Sequence, residues 1–161
     1  MWGPTLFAPL LADMISQSNA QADLEMYHCL VILTDGVIHD LRDTVDKVVE
    51  CTSHPISIII VGIGDADFTA METLDSDEFV LVNSQNQKAR RDICQFVELS
   101  EFKEEMPDGT LVTHIDKLAE KVLEEVPDQL CGFMKERNLK PGDKPGAPKN
   151  EKDAGATTER K

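Results

Sequence analysis

Short apolar runs divide an otherwise polar chain. His28–Leu33 and Ile56–Gly62 are apolar and rich in branched side chains, a pattern typical of strands buried on both faces. Ile93–Val97 is shorter, which predicts a third strand closer to the edge of the sheet. None of the runs approaches the length of a transmembrane helix.

Between these runs, apolar residues recur at helical spacing. A first helix is expected to begin near Phe7, so that the following proline falls in its first turn. A second is expected over Asp40–Cys51, with Asp40 as its N-cap. A long helix should begin at a Thr113 cap, and Pro127 should kink or restart it. Strand and helix in alternation predict right-handed βαβ units and a parallel sheet.

The composition changes near residue 140. Lys140–Lys161 is rich in proline, glycine, lysine and threonine and has no apolar anchor, which predicts a disordered polar tail. Residues 1–139 would then form the folded part, since 161 residues suffice for one domain and little more.

The charge of the chain excludes some partners. A formal net charge of −14 argues against nucleic acid, because binding phosphates along a backbone needs clustered lysine and arginine. It also argues against direct docking on anionic lipid unless calcium bridges the two. The four cysteines form no Cys-x-x-Cys pair and there is no secretory signal, so we expect reduced thiols and a cytoplasmic protein.

Most motifs for catalysis or cofactor binding are missing. Gly62-Ile-Gly64 resembles the start of a dinucleotide-binding loop, but Asp67 stands where the third glycine belongs and would repel a pyrophosphate. The four histidines are scattered, and no nucleophile elbow, phosphate-binding loop or EF-hand occurs. We therefore expect no enzyme activity.

Two hard oxygen ligands remain as candidates. Asp35 lies just past the carboxyl end of the predicted strand His28–Leu33, where ligands bind in open α/β sheets. Thr5 lies in a Gly-Pro-Thr loop. Together they suit Mg²⁺, Mn²⁺ or Ca²⁺ better than a soft metal. Two ligands do not make a site, and an Asp-Gly turn without a ligand explains Asp35 equally well.

Several blocks of the sequence resemble consecutive segments of the copine family's von Willebrand factor A-like domain. In chain order these blocks are Gly3–Pro9, Leu33–Ile38, Pro55–Gly64, Asp67–Asp75, Arg91–Val97 and Val122–Leu130. Some are specific to copines rather than to A domains at large, and the similarity extends to about Pro141. The resemblance implies an α/β fold with a doubly wound, Rossmann-like sheet, here a partial one of about three parallel strands with flanking helices.

The resemblance also implies a metal-ion-dependent adhesion site. In the family, an Asp-x-Ser-x-Ser motif, a loop threonine and an aspartate at the end of the fourth strand hold the cation. Thr5 and Asp35 match the last two by position. The 161 residues contain no Asp-x-Ser-x-Ser motif, and Leu6 replaces the usual asparagine. We therefore expect cation binding to be weak or absent in this chain.

Complete copines carry two C2 domains that bind phospholipid in a calcium-dependent way, and they move to the plasma membrane when calcium rises. Their A-like domain binds target proteins, with the cation leaving one position open for an acidic side chain. This sequence resembles only the carboxyl-terminal half of that domain plus the tail, without the C2 domains. It would be a truncated gene model, a splice product or a fragment.

Two alternatives remain open. Certain plant RING-type ubiquitin ligases carry a copine-like domain, but residues 140–161 contain neither the cysteine nor the histidine that a RING needs. The chain could also be a fragment with no independent activity. In the family the first strand pairs beside the fourth, so without it His28–Leu33 should present an unpaired edge. We expect an isolated chain that is marginally stable, aggregation-prone or dependent on a partner.

Overall fold

A computed structural model describes residues 3–21, 26–75 and 80–140. The predicted tail lies outside these ranges except for Lys140. The helices are α1 (Ala8–Ala20), α2 (Leu41–Cys51), α3 (Thr69–Leu74), α4 (Ile115–Leu123) and α5 (Val126–Glu136). The strands are β1 (His28–Thr34), β2 (Ile56–Gly62), β3 (Cys94–Glu98), β4 (Lys103–Glu105) and β5 (Leu111–Thr113).

The central sheet has three parallel strands in the order β1-β2-β3. The register pairs His28 with Ile56 at one end of β1 and Thr34 with Gly62 at the other. The predicted partial α/β sheet with flanking helices is therefore confirmed. The three strand predictions are also confirmed, with boundaries that differ by one residue at most at each end.

The main core lies on the face of the sheet covered by α1 and α2. Its members are buried apolar side chains from these two helices, from the sheet and from α3, among them Leu11, Ile15, Ile32, Val48, Ile58, Ile60 and Met71. On the opposite face, α5 contacts β2 and α4 contacts β3. Phe133 of α5 is buried there and meets the Tyr27 ring edge-on, with centroids 6.0 Å apart.

The amino end of the sheet is tied to the helices by one arginine. Arg91 uses all five guanidinium N–H donors, and its acceptors are the carbonyl oxygens of Thr52, His54, Ile56 and Gln129 and the hydroxyl of Tyr27. The arginine thereby satisfies the carbonyl of Thr52, just past the end of α2, and links it to β2 and α5.

β1 is less buried than its sequence predicts. All seven residues of β2 are buried, but along β1 buried and exposed positions alternate. Val31 is 51% exposed and Leu33 is 67% exposed, while Ile32 between them is buried. The prediction of a strand buried on both faces is therefore wrong for β1. It lies at the end of the sheet, and among the described residues no helix covers the face that carries Val31 and Leu33.

The edge of β1 is also open in its backbone. His28 donates its N–H to Pro55 of the β2 side, and Thr34 accepts a hydrogen bond from Ile63. In a parallel pair, alternate residues direct both backbone groups to the same neighbour. The backbone N–H and C=O groups of Cys29, Val31 and Leu33 therefore point away from β2. The expected unpaired edge is confirmed for the described part of the chain.

The carboxyl-terminal third differs most from expectation. β4 and β5 form an antiparallel hairpin that was not predicted, joined by a turn around Gly109. Thr113 belongs to β5 instead of capping a helix, and α4 begins at Ile115. Pro127 lies in the first turn of α5, so the predicted restart is confirmed. No helix in the described ranges is long and apolar enough to span a membrane.

Replacing Leu33 by lysine should reduce self-association of the chain. A charge on an open strand edge opposes pairing with another strand, and a side chain this exposed should cost less than about 0.5 kcal/mol of stability when it is changed. Light scattering coupled to gel filtration measures the effect. Leu111→Lys is the matched control, because Leu111 is also 67% exposed but lies on a strand of three residues. Equal behaviour of the two variants would contradict the importance of the β1 edge.

Candidate functional site

The two predicted metal-site residues lie at the carboxyl edge of the sheet. Asp35 follows directly after β1 and is exposed. Thr5 forms an isolated parallel bridge with Ile38, three residues farther along. The Thr5 N–H donates to Nδ1 of His39 at 3.1 Å, and His39 donates its own N–H to the Thr5 carbonyl at 3.0 Å. These two hydrogen bonds hold the Gly-Pro-Thr loop against the segment that follows Asp35.

The threonine hydroxyl comes close to the turn itself. A Cβ atom placed on Gly36 would lie 3.3 Å from Oγ1 of Thr5, tighter than nearly all real contacts of this kind. Glycine at position 36 therefore allows the loop to approach. The structure brings Thr5 beside the residue that follows Asp35, although the two are thirty positions apart in the chain.

Asp40 positions the helix that follows the loop. Its two carboxylate oxygens accept hydrogen bonds from the N–H groups of Phe7 and Ala8, at 3.0 and 2.9 Å. Oδ1 also accepts from the Thr44 hydroxyl at 3.1 Å. Asp40 stands at the N-cap position of α2, as predicted, but its side chain does not cap that helix. It accepts hydrogen bonds from the open N–H groups at the start of α1 instead, so the predicted role of the side chain is wrong.

The same contacts shift the acidity of Asp40. Partial desolvation acts to raise the pKa of the carboxyl group, but the hydrogen bonds from Ala8, Phe7 and Thr44 outweigh it and hold the pKa below its ordinary value. The residue is therefore a carboxylate at neutral pH, and its charge lies at the positive end of the α1 dipole.

The donor set around Thr5 and Asp35 fits a divalent cation only in part. One hydroxyl and one carboxylate are oxygen donors of the right kind, but Mg²⁺ and Ca²⁺ take about six or more oxygens. The described residues contain no group of three or more histidine, cysteine, aspartate or glutamate side chains able to hold a metal. Asp67 is engaged locally, since Oδ1 accepts from the N–H and the hydroxyl of Thr69 at 3.0 and 2.7 Å.

Gly62 at the end of β2 and Gly64 two residues later are both positions that require glycine, for different reasons. A Cβ atom on Gly62 would lie 2.9 Å from the ring of Phe68, which is buried beside Phe96 with centroids 5.5 Å apart. Gly64 adopts a φ of +94°, a backbone conformation that other residues rarely take. Neither position could take a larger residue without strain.

Comparison with known proteins now assigns the family. The sequence model of the copine family matches residues 1–142. The chain belongs to the copine family. It is 39% identical over 144 residues to nicotinic receptor-associated protein 1 of Caenorhabditis elegans, and 40% identical over 145 residues to the protein of the same name from Caenorhabditis briggsae. Each match covers 88% of this chain and 23% of the relative.

These matches confirm the resemblance to a partial copine domain. The copine chain spans about a quarter of the length of the curated relatives that it matches. Most of each relative therefore has no counterpart here, and the activities of a complete copine can enter only as proposals.

Asp40→Ala should destabilise the copine domain by about 1 kcal/mol, because the first turn of α1 loses its cap. Urea unfolding measures the loss. Asp43→Ala is the control: Asp43 lies in the first turn of α2, and its favourable contact with the helix dipole is worth only about 0.3 kcal/mol.

The loss of stability caused by Asp40→Ala should also depend on pH. Because the folded pKa of Asp40 lies below the unfolded value of about 3.9, its contribution is complete above that pH and is lost as the pH falls through the folded pKa. The difference between wild type and Asp40→Ala should therefore shrink in acid. A difference that persists unchanged in strong acid would contradict the assigned role.

Proposed function

We propose that this copine chain is a binding module rather than an enzyme, and that it recognises target proteins through the carboxyl edge of its sheet. The observation that carries the proposal is the approach of the Thr5 hydroxyl to the Asp35–Gly36 turn, held by the bridge to Ile38. Loop residues positioned by a rigid sheet at this edge are the usual place for ligands in open α/β folds.

The proposed recognition is metal-assisted. Thr5 and Asp35 would hold a Mg²⁺, Mn²⁺ or Ca²⁺ ion, which when bound supplies an electrophilic position for a carboxylate of the partner. The chain's own contribution is to orient the donors. His39 fixes the backbone of Thr5 on both sides, and the absence of a Cβ atom at Gly36 leaves room for its hydroxyl. With two donors from the described residues, affinity should be low.

The partner is proposed to be a protein in the cytoplasm. The name of the two nematode relatives associates them with a nicotinic receptor, so the cytoplasmic part of a membrane receptor is a candidate target for this module as well. Calcium-dependent phospholipid binding and recruitment to the plasma membrane are proposed only for a longer copine with C2 domains. The net charge of −14 supports a partner other than nucleic acid.

Titration with Mg²⁺, Mn²⁺ and Ca²⁺ tests the proposed site. We expect weak binding, with a dissociation constant of about a millimolar, seen as shifts of the Thr5 and Gly36 amide resonances. Asp35→Ala should abolish the shifts. Asp13→Ala removes a carboxylate from α1 that is also exposed, and it should leave the shifts unchanged. Identical titrations of wild type and Asp35→Ala would overturn the proposal.

A further inference from the structure

A cavity lies at the amino end of the sheet, opposite to the end that carries Asp35. Its volume is about 320 Å³, at the lower end of the range of about 300–1,000 Å³ that small-molecule pockets occupy. The ends of α1, α2 and α5 surround it. Its polar lining side chains include Ser18, Asn19, Gln21, His54, Arg90 and Arg137.

The charge of this cavity is opposite to that of the chain. The sequence has 30 acidic and 16 basic residues, yet none of the described residues that line the cavity is an aspartate or a glutamate. Three of the five arginines in the sequence, Arg90, Arg91 and Arg137, lie at this end of the sheet. A concentration of guanidinium groups in a strongly acidic protein calls for a specific explanation.

Hydrogen bonds to the protein use up all the N–H donors of only one of these arginines. Arg91 donates all its N–H groups to protein acceptors, as described above. By contrast, the side chain of Arg137 makes one hydrogen bond within the described residues, to the Ser53 carbonyl at 2.6 Å. That of Arg90 makes one as well, to Glu136 at 3.3 Å. Each of the two therefore keeps most of its donor capacity.

One of the two guanidinium groups is held in place by a ring. Arg137 lies over the Phe133 ring, with its central carbon 4.8 Å from the ring centroid. A guanidinium stacked in this way loses little conformational entropy when it binds a ligand. The Arg90 backbone N–H donates to the Thr52 hydroxyl at 3.2 Å, which fixes the start of its side chain, while the side chain itself is 63% exposed and can turn toward a ligand.

His54 contributes hydrogen bonding rather than charge. Desolvation lowers the pKa of its imidazole, Glu50 acts in the opposite direction, and the nearby Arg137 lowers the pKa further. The ring is therefore neutral near pH 7, and the positive charge of the cavity comes from its arginines. Glu136 forms an ion pair with Arg90 and would therefore compete with an anionic ligand for that arginine.

We propose that this cavity binds a phosphate monoester, held by Arg90 and Arg137. A planar guanidinium matches two phosphate oxygens, and a dianion has enough charge to displace Glu136 from Arg90. The Ser18 and Asn19 side chains line the cavity as neutral donors. The helix ends do not oppose binding strongly, because Arg91 and Arg137 already occupy the carbonyl oxygens of Thr52, Ser53 and His54. The phosphate could belong to a soluble metabolite or to a lipid headgroup.

Two probes in calcium-free buffer test the proposal and distinguish the two sources. Glycerol 3-phosphate is titrated into the whole chain while the arginine side-chain N–H resonances are followed. In parallel, the chain is sedimented with vesicles that contain phosphatidic acid, whose headgroup is a phosphate monoester. Vesicles that contain the diester phosphatidylglycerol at equal charge are the control.

Variants connect the response to the cavity. Arg137→Gln should weaken binding by at least about tenfold, since it removes a charge-assisted hydrogen bond to the phosphate. Glu136→Gln should strengthen binding, because it removes the competing carboxylate. Arg42→Gln removes an exposed arginine at the other end of α2 and should change nothing. The gain in Glu136→Gln keeps the test valid even if Arg137→Gln fails to fold.

The two probes distinguish a soluble ligand from a lipid headgroup. Binding of glycerol 3-phosphate that follows this order of variants supports a soluble ligand. The same order seen only with phosphatidic acid vesicles supports a headgroup. No binding of either probe, or equal effects of Arg137→Gln and Arg42→Gln, would overturn the proposal.

Discussion

The structure depends on the pairing of β2 with a parallel strand on each side. β2 is buried along its whole length, and the backbone groups of its two neighbours are aligned by it residue by residue. Because the strands are parallel, their carboxyl ends meet at one edge and their amino ends at the other. The proposed interaction site occupies the first edge. The arginine-rich cavity occupies the second, where Arg91 ties the helices to β2.

β1 has a neighbour on only one side, and this asymmetry explains its unusual exposure. Its sequence is that of an interior strand, with no charged residue or proline to discourage pairing with another chain. In the described structure it ends the sheet, so Val31 and Leu33 face outward. A partial copine domain is therefore stabilised on the α1 and α2 face and left open beside β1. The same strand carries Asp35 at its end, so the open edge and the proposed metal site are adjacent.

Much of the fold follows from local sequence. The three strands of the central sheet and α2 could be predicted because apolar periodicity and branched side chains act over a few residues. The exposure of β1 could not be predicted from the run alone, since it depends on what lies beside the strand; the family resemblance supplied that expectation. The partner of Asp40 was missed for a similar reason. A capping pattern identifies a carboxylate near a helix start, but here the helix is α1, more than thirty residues away.

The two sites differ in how visible they are. Thr5 and Asp35 were found because each lies in a motif, although only the folded chain shows that the loop approaches Gly36. Arg90 and Arg137 lie far apart in the sequence and belong to no motif. An adjacent pair of arginines at positions 90 and 91 was the available signal, and it does not reveal that only Arg91 is fully occupied.

The central claim is that β1 is paired on one side and open on the other. Amide hydrogen exchange measured by NMR tests it residue by residue. The account predicts alternation along the strand: slow exchange at Leu30, Ile32 and Thr34, whose N–H groups face β2, and fast exchange at Cys29, Val31 and Leu33, whose N–H groups face solvent. Equal protection of all six amides would contradict the account.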